Sequence, residues 1–132
     1  HMKLWANAPR GTCAIHVDTG MNRLGLPMSV VDTEATALRR LAPVLVMSHL
    51  ACADDPQNSM NLHQRRAFEQ VVDAFPDTPA SLANSAGCYL GKGYAFDLTR
   101  PGIALYGGTK APPNVPIQPG VVLEATILSV FK

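Results

Sequence analysis

The sequence predicts an α/β fold built on a parallel sheet. Its 132 residues are 47% hydrophobic and 16% charged, a balance that permits a packed domain and argues against disorder. Short apolar runs alternate with helical patterns along the chain, which favours parallel strands joined by right-handed crossovers. The apolar runs show little polar alternation, as is typical of strands that are covered on both faces.

Four apolar runs predict the strands, at residues 13–18, 44–47, 80–83 and 103–106. Helical patterns lie between them, over about residues 27–41 and 59–75. The second pattern is the clearer, because its apolar side chains recur at i, i+3, i+4 and i+7: Phe68, Val71, Val72 and Phe75. Residues 88–97 predict a short helix followed by a loop, and residues 3–8 predict the last turns of an earlier helix.

Proline spacing divides the chain into two predicted domains. His1 and Met2 are interpreted as a cloning remnant, and residues 3–107 as the first domain. Residues 108–120 are interpreted as a linker because they contain four prolines: Pro112, Pro113, Pro116 and Pro119. Residues 121–132 are rich in strand-forming side chains and predict the start of a second domain, with a strand over residues 121–131.

Composition argues against several classes of function. The formal net charge of +1 gives no reason to expect a nucleic-acid partner. No run of about 18 apolar residues could span a membrane, and no signal peptide is visible. The three cysteines are widely spaced without a Cys-x-x-Cys pair, which fits reduced thiols in a cytoplasmic protein. The histidines show no ligand spacing, so no metal site is predicted.

Polar residues follow the first three predicted strands. Residues 18–23 come after the first strand, His49 after the second, and Asn84 with Ser85 after the third. The segment over residues 100–102 lies beside the fourth. Because parallel strands bring their carboxyl ends to one edge of the sheet, where α/β proteins keep their ligand sites, the sequence predicts a ligand site there.

The residues after the first two strands also have purely structural interpretations. Asp18 is expected to hold the turn through backbone N–H groups rather than to catalyse. Arg23 could form a surface ion pair with Asp18 or Asp32. His49 could be a buried histidine whose ring is satisfied by ordinary partners.

The later segments leave the same choice open. Residues 84–87 can offer N–H groups and a hydroxyl to an anion at a helix start, or they can form an ordinary N-cap. Gly102 permits the close approach of a phosphate to the backbone, or it serves as a turn glycine. The ligand-site interpretation of these residues is favoured because they occur together at one predicted edge of the sheet.

Four segments, in this order and spacing, resemble alanine racemase: HVDTGMNRLG (residues 16–25), SHLACAD (48–54), ANSAG (83–87) and RPGIALYG (100–107). The family is an isomerase that uses pyridoxal 5'-phosphate (PLP) and is built as a (β/α)8 barrel followed by a β-rich domain. The resemblance implies a partial TIM-type barrel of about four βα units, followed by the first strand of the β domain. It also implies interconversion of L-alanine and D-alanine for peptidoglycan synthesis.

The resemblance implies contacts between this chain and the cofactor ring. Arg23 would hydrogen-bond the phenolic oxygen, and His49 would lie near the ring and support Arg100. Arg100 would face the pyridine nitrogen. A guanidinium stays charged and therefore disfavours protonation of that nitrogen, which suits reprotonation at Cα over transamination.

The phosphate would be held by a second group of residues. The resemblance assigns it the Ser85 hydroxyl and the backbone N–H groups of Gly102 and Ile103. Supporting roles fall to His16, Asp18 and Asn84.

The chain departs from the family pattern at two points. Many members carry a carbamylated lysine where this chain has His16, so another group, such as an anion bound near His16, must orient Arg23. The Schiff-base lysine and the tyrosine base have no counterpart in this chain. We therefore expect a fragment that contains no catalytic residue, is inactive alone and assembles as a homo-oligomer.

Three alternatives remain open from the sequence. The parent enzyme could be a PLP-barrel racemase for serine or for a broader range of amino acids. It could also be a non-catalytic PLP-binding barrel module, although the predicted second domain favours the racemase. An unrelated flavodoxin-like binding domain requires all four segments to match by chance.

Overall fold

The computed structural model describes residues 11–109 and 111–130. Within these residues the strands are β1 (Ala14–Asp18), β2 (Leu26–Pro27), β3 (Leu45–Met47) and β4 (Ala80–Ser81). The α-helices are α1 (Met28–Arg39) and α2 (Ser59–Ala74). The sheet has the order β2-β1-β3-β4, and every pairing is parallel. The predicted α/β class with a parallel sheet is confirmed, and the helix predicted for residues 3–8 lies outside the described residues.

The sheet is fully covered on one face only. Ile15 and Val17 of β1 and Val46 of β3 are buried, whereas His16 and Met47, which pair across the two strands, point to the opposite face and are only half-buried. The expectation that both faces are covered is therefore wrong for this structure. One face of the sheet packs against helices, and the other is only partly covered at β1 and β3.

The helix α2 follows the predicted pattern. Phe68, Val71 and Phe75 are buried in the core, and Val72 packs against it. Asn58 caps the amino end by accepting a hydrogen bond from the Met60 N–H at 3.1 Å, as Asn does at many helix starts. The helix is therefore fixed by an apolar face and by a cap at its first turn.

The prediction of a strand over residues 103–106 is wrong. Ile103–Tyr106 forms a short 3-10 helix that ends at Gly107, whose φ of 74° is left-handed. The N–H groups of Gly102 and Ala104 both donate to the Ser85 hydroxyl oxygen. This contact between distant residues holds the backbone in a tight turn and prevents extension.

The strand predicted over residues 121–131 is also absent from the part of it that the structure describes, residues 121–130. Leu123 and Leu128 are each 94% exposed. The propensity to form strands depends on packing against neighbouring strands, and no described strand pairs with this segment. The boundaries at residues 107 and 120 stay predictions.

The segment after β4 differs from its prediction in another way. Two short 3-10 helices, Gly87–Tyr89 and Lys92–Tyr94, replace the single helix. Asp97 then returns to the edge of the sheet, where its carboxylate accepts a hydrogen bond from the Ala80 N–H at 2.9 Å. The N–H of Arg100 donates to the Ala83 carbonyl at 2.9 Å. Together with the contact of Asp97, this hydrogen bond places Arg100 at the carboxyl end of β4.

Among the described residues, no helix is long and apolar enough to cross a membrane.

Candidate functional site

A pocket of about 530 Å³ lies at the carboxyl edge of the sheet. Six of the residues singled out from the sequence contribute to its lining: His49, Asn84, Ser85, Arg100, Gly102 and Ile103. They come from the segments after β3 and β4 and from the turn over residues 100–103. The edge predicted from the strand pattern is therefore where the structure brings these residues together.

Two hydrogen bonds hold the side chain of Arg100 in place in the lining of the pocket. Its guanidinium donates to the Ser81 hydroxyl and to the Ser48 carbonyl. Burial lowers the pKa of Arg100 from its usual range, yet an arginine side chain stays protonated in proteins. A fixed positive charge therefore stands beside the pocket, where it attracts an anionic or electron-rich ligand.

Ser85 is a buried hydroxyl whose two acceptor positions are both used. Its oxygen accepts the N–H of Gly102 at 3.0 Å and the N–H of Ala104 at 3.1 Å. Because a hydroxyl has two lone pairs and one proton, the Ser85 proton is left to donate into the pocket. The Gly102 N–H, which the resemblance assigns to a phosphate, is directed to Ser85 in this structure.

The side chain of Asn84 connects the segment after β3 with the segment after β4 by hydrogen bonds. Its side-chain N–H donates to the Leu50 carbonyl at 3.1 Å, and its side-chain oxygen accepts the Gly87 N–H at 2.9 Å. The same nitrogen lies 3.5 Å from Nε2 of His49. Residues 84–87 thus form a cap, as one interpretation of the sequence holds, while Ser85 still faces the pocket.

Asp18 and Arg23 lie outside the pocket lining. The Asp18 carboxylate accepts N–H groups from Gly20 at 2.9 Å and Asn22 at 3.1 Å, and the bond from Gly20 is the main cause that lowers the pKa of Asp18. Asp18 therefore holds the turn, as the sequence predicts. Arg23 is exposed, and among the described residues it forms no ion pair with Asp18 or Asp32.

Burial and nearby positive charge lower the pKa values of two histidines. Burial lowers the pKa of His49, and the nearby charges of Arg100 and Arg23 lower it further. The pKa of His16 is lowered by burial and by the same two arginines. His16 projects from the middle of β1 and does not line the pocket. The described residues contain no group of three His, Cys, Asp or Glu side chains that could hold a metal ion.

Acidification is expected to destabilise the fold through these histidines. Their pKa values lie below the ordinary 6.5 in the folded state, so the unfolded chain binds more protons in the window just below pH 6.5. The free energy of unfolding should therefore be lower at about pH 5.5 than at about pH 7.5. Urea titrations at both values test this. His49→Gln should weaken the dependence, whereas His63→Gln, an exposed position on α2, should leave it unchanged.

Two contributors to the site were not identified from the sequence. Ser81 sits inside a predicted strand, and Gln64 lies on the helix face that carries Phe68 and Val71. The available signal for Gln64 was its polarity at an i, i+4, i+7 position of an apolar face.

An anion-attracting pocket at the carboxyl edge of a parallel sheet is characteristic of phosphate-binding α/β proteins, and of barrels in particular. The family model described as "Alanine racemase, N-terminal domain" matches residues 1–110. The chain belongs to this family.

Relatives and solved structures agree with that assignment. The chain is 53% identical over 126 residues to an alanine racemase of Rhizobium meliloti, covering 89% of this chain and 32% of the relative. It is 50% identical over 123 residues to a biosynthetic alanine racemase of Agrobacterium fabrum, covering 89% and 31%. The chain thus spans about a third of the length of these relatives.

A crystal structure of alanine racemase from Bartonella henselae, with covalently bound pyridoxal phosphate, superimposes with a TM-score of 0.66. It is 38% identical, and the match covers 79% of this chain and 32% of that one. The partial PLP-type barrel is thereby confirmed, but the strands predicted over residues 103–106 and 121–131 are not formed by the part of the chain that the structure describes.

The site fits a phosphate-bearing cofactor. Its volume lies within the ordinary range for small-molecule pockets, roughly 300 to 1,000 Å³. Ser85 offers a hydroxyl proton, and Arg100 offers a fixed positive charge. No carboxylate side chain is hydrogen-bonded to either residue among the described contacts, and one carboxylate, that of Asp54, also lines the pocket.

Proposed function

We propose that the protein is a PLP-dependent alanine racemase and that this chain supplies part of its cofactor site. The observation that carries the proposal is the Ser85 hydroxyl, which accepts two backbone N–H groups and keeps its proton for the pocket beside Arg100. This donor, together with a fixed guanidinium, suits a ligand with a phosphate at one end and a ring at the other. The relatives, named alanine racemase, support the choice of reaction and substrate.

In this proposal the residues divide between the two ends of the cofactor. The Ser85 hydroxyl and the Ile103 N–H hold the phosphate, and the Gly102 N–H, which donates to Ser85 in this structure, supports that hydroxyl. Arg100 faces the ring nitrogen and His49 lies beside the ring. When bound, PLP withdraws electrons from the substrate Cα so that its proton can be removed.

Arg100 influences the outcome through its charge. A guanidinium beside the ring nitrogen disfavours protonation of that nitrogen. The Ser48 carbonyl and the Ser81 hydroxyl hold the guanidinium in place, so its charge acts at a fixed position. Arg23 is proposed to reach the phenolic oxygen, and the positive field that it exerts on His49 is consistent with that position.

The proposal is tested by Ser85→Ala in the whole protein. The wild type is expected to bind PLP and to racemise L-alanine faster than L-serine. Losing a hydrogen bond to a charged phosphate should weaken PLP binding by at least about tenfold, measured by absorbance titration. Ser59→Ala, at an exposed position at the start of α2, should bind PLP like the wild type.

Two outcomes would contradict the proposal. PLP binding that is unchanged in Ser85→Ala would remove the phosphate site from this pocket. Faster racemisation of L-serine than of L-alanine would instead favour a serine racemase of the same barrel type.

The setting of the enzyme is part of the same proposal. We propose a homo-oligomer, because residues 121–130 expose the apolar side chains of Val122, Leu123, Leu128 and Val130, and a second copy would cover them. We further propose a cytoplasmic enzyme that supplies D-alanine for the cell wall. The three free cysteines are compatible with a reducing compartment.

A further inference from the structure

The Ser48 N–H donates to the Ser81 carbonyl of β4, and beyond it side chains hold the backbone that carries His49. Directly after β3, each of the four residues 48–51 has one backbone group that is hydrogen-bonded to a side chain. The Ser48, His49 and Leu50 carbonyls accept from Arg100, Gln64 and Asn84, and the Ala51 N–H donates to Gln64. Gln64 makes two of these four bonds, whereas Arg100 and Asn84 make one each, so Gln64 contributes most to holding the segment in place.

Gln64 is completely buried, and both polar atoms of its amide are hydrogen-bonded. Its nitrogen donates to the His49 carbonyl at 2.8 Å and to the Thr19 hydroxyl at 3.3 Å, and its oxygen accepts the Ala51 N–H at 2.8 Å. Thr19 in turn lies 2.7 Å from the Ser48 hydroxyl. One side chain on α2 therefore joins the carboxyl ends of β1 and β3.

Contacts other than those of Gln64 also attach α2 to the rest of the fold. Phe68, Val71 and Phe75 bury the apolar face of the helix, and Asn58 caps its first turn. Asn61, the other buried polar residue of α2, donates to the Asp55 carbonyl at 2.8 Å, in the loop that precedes the helix. The bonds of Gln64 differ from that contact because two of the three end on residues that line the pocket, His49 and Ala51.

We propose that Gln64 is a positioning residue of the cofactor site. By fixing the His49 carbonyl and the Ala51 N–H, it sets the place of the His49 ring and of the Ser48 carbonyl to which Arg100 is anchored. The inference rests on the proposed function, because the ligand it serves is PLP. Gln64 itself does not line the pocket, so it acts through the segment over residues 48–51.

Gln64→Met in the whole protein tests this proposal, since methionine retains the length of the side chain and removes all three hydrogen bonds. NMR of labelled histidine rings, without cofactor, should show the His49 titration midpoint moving toward its ordinary value of 6.5. Absorbance titration should show PLP affinity falling by about tenfold or more. Asn61→Leu is the matched control, which should lower thermal stability while leaving both readouts at their wild-type values.

Gln64→Glu provides a second test should the methionine variant not fold. A protonated carboxyl group can donate to the His49 carbonyl, whereas the carboxylate cannot. The ratio of variant to wild-type PLP affinity should therefore be nearer to one at about pH 5.5 than at about pH 8.5. The titratable and charged side chains that line the pocket, His49, Asp54 and Arg100, and the nearby His16 and Arg23 are the same in both proteins, so the ratio reports the change at position 64.

The proposal is overturned if Gln64→Met folds with an unchanged His49 midpoint and unchanged PLP affinity. It is also overturned if Asn61→Leu shifts both as much, or if the Gln64→Glu affinity ratio does not depend on pH. Because the His49 titration uses no cofactor, a wild type that fails to bind PLP would overturn the proposed function and leave the test of Gln64 standing.

Discussion

Arg100→Ala is expected to reduce PLP affinity by at least about a hundredfold, because it removes the fixed charge of the pocket. It should also lower the free energy of unfolding by about 2–4 kcal/mol, since the Ser81 hydroxyl and the Ser48 carbonyl each lose a charged donor. Absorbance titration with PLP and urea denaturation measure the two effects separately.

Two companion variants distinguish charge from geometry at this position. Arg100→Lys keeps the positive charge but cannot reach both acceptors with a planar fork, so its affinity should lie between those of the wild type and Arg100→Ala. Arg66→Ala removes an exposed charge from α2 and should change neither quantity. Equal affinity in the lysine variant and the wild type would show that the anchored geometry is unimportant.

Gly25→Ala is expected to give the largest loss of stability, about 3–5 kcal/mol in the free energy of unfolding. The residue has a φ of 119°, and an added Cβ would lie 2.7 Å from the Asp18 nitrogen and 2.9 Å from the Val17 carbonyl carbon. The methyl group would therefore push the turn away from β1 and break the pairing of β1 with β2.

Gly91→Ala is the matched control for this clash. Gly91 has a similar φ of 102°, but no heavy atom lies within 4 Å of an added Cβ. Its substitution should cost only the backbone strain, about 1–2 kcal/mol. Urea denaturation of both variants measures the difference, and equal losses would mean that the turn at Gly25 yields without disturbing β1.

The sequence predicts those parts of the fold that depend on local pattern. The spacing of Phe68, Val71 and Phe75 is set by the helix period, so the buried face of α2 follows from it directly. Residues 103–106 have an apolar pattern that is equally compatible with a strand. Their turn depends on Ser85, 17 to 19 residues earlier, and a local pattern does not contain that contact.

The candidate site was predictable to the extent that strand ends determine it. His49, Asn84 and Ser85 follow strands, and parallel pairing brings them to one pocket. Arg23 also follows a strand, yet it remains at the surface because Asp18 folds the intervening turn. Gln64 could not be assigned in advance, because its partners lie 13 to 45 residues away along the chain.

The long separations between hydrogen-bonded partners in the pocket have a consequence for the order of folding. The bond from Arg100 to Ser48 closes a loop of 52 residues, and that from Gln64 to Thr19 one of 45. Such closures cost chain entropy that is recovered only after β1, β3 and β4 have paired. The pocket is thus among the last features to form, and a ligand that binds there stabilises only the finished sheet.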